Sequence, residues 1–116
     1  MVHEVTDDSF QAEVADSPLP CVVEFTAGWC APCKEMAPAF EALSDKLAGE
    51  VRFCRVDIDA QRALRIKFAV AAIPYTVFIA DGQRTPLFDQ IVSAERLEER
   101  IRFMLDGGTA PNTRPL

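Results

Sequence analysis

Compact apolar runs alternate along this chain with stripes at helical spacing, and the alternation predicts its elements. Cys21–Thr26 is mostly apolar, as in a strand buried on both faces. Over residues 33–47, Met36, Phe40, Leu43 and Leu47 recur at helical spacing, with Pro38 inside the stretch predicting a kink. Gly49 closes that helix, and 51–58 gives a second buried strand. Residues 60–68 predict a short helix with Leu64 and Phe68 on one side. Tyr75–Ala80 is rich in β-branched and aromatic residues, and Asp81-Gly82 marks a hairpin leading into a strand over 86–92. Ser93 caps a last helix with Leu97, Ile101 and Leu105 inward and Glu98, Arg100 and Arg102 outward. Ahead of all these, Thr6 caps a short helix carrying Phe10 and Val14 on one face, ended by Ser17-Pro18-Leu19-Pro20.

Strands separated by helices imply parallel pairs with right-handed crossovers, and the hairpin adds an antiparallel pair. The expectation is an α/β sandwich: a mixed sheet with helices on both faces. At 116 residues the chain makes one domain, placed at 1–106. Residues 107–116 lack apolar periodicity and are rich in turn formers, which predicts a disordered tail with no assigned function.

Composition narrows the partners. A net charge of −6 leaves no basic stripe for nucleic acid and no attraction to anionic membranes. The apolar stretch 69–80 is too short to span a bilayer. The start carries neither a basic nor an apolar leader region, which reads as a cytoplasmic protein. A mature exported form, numbered after cleavage, fits the same start.

The cysteines are Cys21, Cys30, Cys33 and Cys54. The cytosol keeps thiols reduced, so a structural disulfide framework is not expected. Only Cys30-Ala31-Pro32-Cys33 has a spacing that suggests chemistry. Cys30 falls between a strand and a helix, where free N–H groups and the positive helix end favour a thiolate. Cys33 follows one turn later, within reach of a disulfide. Pro32 suits a first helical turn and withholds one donor from the thiolate, which predicts a reducing pair. Half of a zinc site has the same spacing, but Cys21, Cys54 and a lone His3 are the only further ligands of the kinds zinc usually takes. Cys21 and Cys54 read as small core residues, against a second redox role.

Glu24-Phe25-Thr26-Ala27-Gly28-Trp29-Cys30-Ala31-Pro32-Cys33-Lys34 resembles the active-site segment of the thioredoxin family. Ala72-Ile73-Pro74-Tyr75-Thr76 is similar to the family's cis-proline loop, Val56-Asp57-Ile58-Asp59 to its central strand end, and Asp81-Gly82 to its hairpin. The likeness runs in order over about residues 2–106. It implies a three-layer α/β/α sandwich with a central mixed sheet of four to five strands and about four helices.

The resemblance also implies roles. Cys30 is the exposed attacking thiolate and Cys33 the buried resolving thiol; the two form the redox-active disulfide. Glu24 matches the family's buried aspartate and is the candidate proton acceptor, with simple ion pairing to Arg55 as the alternative. Arg55, in place of a family lysine, holds Glu24 more firmly ionised. Trp29, Ala31, Pro32, Ile73 and a cis Pro74 form the substrate surface, and Lys34 favours the thiolate. No cofactor and no metal are called for. The implied partners are disulfide-containing proteins and a thioredoxin reductase, and the implied state is a monomer. An isomerase or oxidase with a dedicated partner, or a redox-inactive binding module, would use the same fold. Ala31 departs from the usual glycine, Thr26 from the usual tryptophan, and no glycine lies near Gln90–Ser93, where the family borders its target groove.

Overall fold

The computed structural model describes residues 1–116. Its strands are β1 (Val2–Glu4), β2 (Cys21–Thr26), β3 (Arg52–Asp57), β4 (Tyr75–Ala80), β5 (Gln83–Phe88) and β6 (Arg114–Pro115). Its α-helices are α1 (Ala31–Lys46), α2 (Arg62–Lys67) and α3 (Ala94–Leu105). They form one mixed sheet in the order β1-β3-β2-β4-β5-β6. β1, β3 and β2 run parallel, while β4, β5 and β6 each join antiparallel.

Strand alternation divides the core. Val23, Phe25, Cys54, Val56, Val77 and Ile79 meet Phe10 and Val14 and the α2 residue Leu64 on one face. Val22, Phe53 and Phe78 meet Met36, Phe40 and Leu43 of α1 and Leu97 and Ile101 of α3 on the other. Helices thus cover both faces of the sheet. α1 runs through Pro38 as one helix, and Ser93 caps α3 by accepting from the Arg96 N–H (3.2 Å).

The expectations are corrected in three places. The segment with Phe10 and Val14 is a π-helix, Gln11–Ala15, closed by the Asp16 N–H on the Gln11 carbonyl (2.8 Å). Below it, Thr6 and Ser9 exchange bonds from backbone N–H to hydroxyl. The strand expected over 86–92 is β5, shifted earlier. Asp81 and Gly82 both have positive φ (54° and 71°), so a two-residue turn pairs Ala80 directly with Gln83.

The third correction concerns residues 107–116, which are ordered, and the sheet has six strands rather than four to five. Ala110 is buried, Thr113 and Thr85 share a hydroxyl bond (2.7 Å), and Arg114 pairs with Arg84. The Leu116 N–H reaches the Gly82 carbonyl (2.8 Å), and Leu116 packs on the core. Backbone pairing at a sheet edge needs no apolar periodicity, so the pattern of side chains gave no sign of it.

Candidate active site

β2 delivers the chain to the sheet's edge, and Ala27-Gly28-Trp29 turns it into α1. Cys30 is the N-cap of α1, with an extended backbone (φ −86°, ψ 104°). Its Sγ accepts the Cys33 N–H at 3.2 Å, one of the amides that a helix start leaves without a carbonyl partner. Cys30 and Cys33 form a disulfide with Cα atoms 5.3 Å apart. Ala31 and Pro32 fill the first turn and are exposed. Lys34 is exposed and in no salt bridge.

The expected difference in exposure between the two sulfurs is absent. Cys30 is 4% exposed and Cys33 3%. The disulfide holds both sulfurs against the core cluster beneath α1's first turn. What distinguishes them is backbone: one precedes the helix, the other lies within it.

Trp29 is 69% exposed, yet its indole is fixed by a bond from Nε1 to Asp59 Oδ2 (2.8 Å). Asp59 follows β3, in a turn where its N–H meets Asp57 Oδ1 (2.9 Å). The sequence reading gave Asp59 no role. The available signal was that it leaves the sheet at the same end as β2.

The Ile73–Pro74 bond is cis. Tyr75 pairs with Phe25, which brings the buried Pro74 and half-buried Ile73 beside the end of β2 and next to the dithiol. Ile73 packs against the same core cluster as both cysteines.

Glu24 lies in the middle of β2, its side chain 1% exposed. It pairs in register with Arg55 on β3 and Thr76 on β4. Arg55 Nε stands 3.4 Å from Oε1, while Oε2 has no hydrogen-bond partner. Arg55 also reaches Glu4 at 3.7 Å. Burial raises the Glu24 pKa to about 6, outweighing the attraction of Arg55. Ion pairing and a perturbed acidity thus coexist.

The Thioredoxin family model matches residues 1–103. The chain belongs to the thioredoxin family. It is 42% identical over 82 residues to thioredoxin C-2 of Corynebacterium nephridii, covering 71% of this chain and 76% of that one. It is 34% identical to the thioredoxin of Rickettsia felis over 72% of this chain and 80% of that one. Chloroplastic thioredoxin X of Arabidopsis thaliana is 35% identical over 90% of this chain and 59% of its own length. The crystal structure of chloroplastic thioredoxin z superposes with a TM-score of 0.81 over 92% of this chain and 96% of that one; at 21% identity it speaks for the fold. With the Cys30–Cys33 disulfide in place, the thioredoxin relatives establish a protein-disulfide oxidoreductase of the thioredoxin type. No helix is long and apolar enough to cross a membrane.

Proposed function

We propose that this thioredoxin reduces disulfides of other proteins by ordered attack, Cys30 first and Cys33 second. The Cys30 thiolate displaces one sulfur of the target disulfide as a thiolate and forms a mixed disulfide. Cys33 gives its proton to Glu24, relayed by water, and attacks Cys30 Sγ. The second target sulfur leaves as a thiolate, and Cys30–Cys33 is oxidised. A thioredoxin reductase returns the two electrons.

The observation that carries this reading is the Cys33 N–H donated to Cys30 Sγ at the start of α1. That donor stabilises negative charge on the first sulfur and not on the second. Glu24, with a pKa of about 6, is a base matched to neutral pH. Trp29, Ala31, Pro32, Ile73 and Pro74 receive the target segment, which pairs along the free backbone at Ile73. Arg55 tunes Glu24, and Lys34 supplies positive charge near Cys30. The protein acts as a cytoplasmic monomer that maintains redox homeostasis, a reading its bacterial thioredoxin relatives support.

Insulin reduction with NADPH and a thioredoxin reductase tests activity and recycling together. Cys33→Ser is expected to trap mixed disulfides in a lysate; a variant that traps none would falsify the assigned order. A potential near about −270 mV belongs to a reductant, whereas one near about −120 mV would make the pair an oxidant.

A further inference from the structure

Arg84 and Arg114 stand directly opposite one another where β6 pairs with β5. Like charges in that position oppose pairing. Neither guanidinium forms a salt bridge, although 18 acidic residues outnumber 12 lysines and arginines. Arg52, Arg55 and Arg102, by contrast, all find carboxylates. An arginine pair without a counterion, built into a strand pairing, calls for an anion.

The two arginines line a cavity of about 240 Å³ between the end of α2 and the outer strands. The part-exposed Tyr75 and Pro86 supply an apolar wall over the buried Phe68 and Val77, and no acidic residue lines the cavity. Arg84 is held in place: Nη1 donates to the Lys67 carbonyl (2.7 Å), and its Cζ sits 5.0 Å from the Phe68 ring centroid. Its remaining N–H groups are free to donate. Asn112 borders the cavity, anchored by its Nδ2 on the Pro86 carbonyl (3.2 Å). Burial raises the Tyr75 pKa above its ordinary value, so the phenol keeps its proton and stays a donor. Asp89, which also acts on Tyr75, lies outside the lining.

We propose that this cavity binds a small organic carboxylate, its flat apolar body against Tyr75 and Pro86 and its carboxylate between Arg84 and Arg114. Planar guanidinium groups match the two oxygens of a carboxylate, and the apolar wall matches a ring. Arg114 and Asn112 lie beyond the residues matched by the family model, while the rest of the lining lies within them. The site stands independently of the dithiol mechanism.

Sodium benzoate titrated into the full chain, followed by amide NMR, is the test, with benzamide as the neutral control and sodium chloride at equal ionic strength. Benzoate is expected to shift Phe68, Tyr75, Val77, Arg84 and Arg114 saturably, with benzamide about tenfold weaker. Arg114→Gln is expected to weaken benzoate about tenfold and, without ligand, to raise the melting temperature. Arg114→Glu gives Arg84 a partner, keeps the fold and insulin reduction at the parent rate, and is expected to lose benzoate binding. Silence toward benzoate, equal response to benzamide or chloride, or undiminished binding by Arg114→Glu overturns the proposal. A slowed insulin reduction by Arg114→Glu with no benzoate binding also overturns it, in favour of an acidic protein segment.

Discussion

The chain carries two cysteine pairs, and their surroundings make them opposites. Cys30 and Cys33 sit a turn apart at a helix start, with Cα atoms 5.3 Å apart and a backbone N–H aimed at the first sulfur. Cys21 and Cys54 lie on the neighbouring strands β2 and β3, fully buried. Their register is offset: Cys21 pairs with Arg52, and Cys54 with Val23. Two residues along a strand and one strand across separate the Cα atoms by about 8 Å, beyond the span of a disulfide. The neighbouring Cys21 sulfur and burial together raise the Cys54 pKa and keep that thiol protonated, while the Cys21 pKa is lowered to about 7 beside it. Reactivity here follows from placement on the scaffold, not from the presence of paired sulfurs.

The sharpest break of that contrast is substitution. Cys30→Ala is expected to cut insulin reduction by more than about 100-fold, while Cys21→Ala with Cys54→Ala leaves the rate within about twofold. A comparable loss from the core pair would erase the distinction. The core pair should instead show itself in stability. Emptying two fully buried sulfur positions is expected to cost about 3 kcal/mol by urea denaturation.

Glu24 sharpens the comparison through pH. Its raised pKa means that the folded protein holds this proton more tightly than the unfolded chain does. That contribution is full below about pH 4.3 and is lost as pH rises through about 6. Glu24→Gln is therefore expected to gain about 2 kcal/mol over the parent at pH 8 and nothing at pH 4. The variant should also turn over more slowly. A gain independent of pH would return Glu24 to a purely structural part. The smallest effect is at α3: Ser93→Ala removes the cap and is expected to cost about 1 kcal/mol with turnover unchanged.

What the sequence disclosed was local. The strand, turn and helix around Cys30 lie within a short stretch, where apolar period and Pro32 both speak, and Asp81-Gly82 announces its own hairpin. Contacts between distant segments left weaker traces. The bond from Trp29 to Asp59 spans 30 positions, and neither side chain advertises the other. β5 was misplaced because Pro86 looks like the beginning of a strand, although a proline fits on an outer rung that needs no N–H. The burial of Cys30 comes from the packing around it, which no spacing of residues expresses.

The ladder at the end of the sheet has a consequence for solubility. An uncovered outer strand invites addition by strands of other molecules, the first step toward fibrillar aggregates. On β5 the outward backbone groups belong to Arg84, already occupied by Arg114, and to Pro86, which has no hydrogen to offer. The molecule supplies its own last strand at this end of the sheet, and that strand is only two residues long, one of them Pro115, so it offers little to build on.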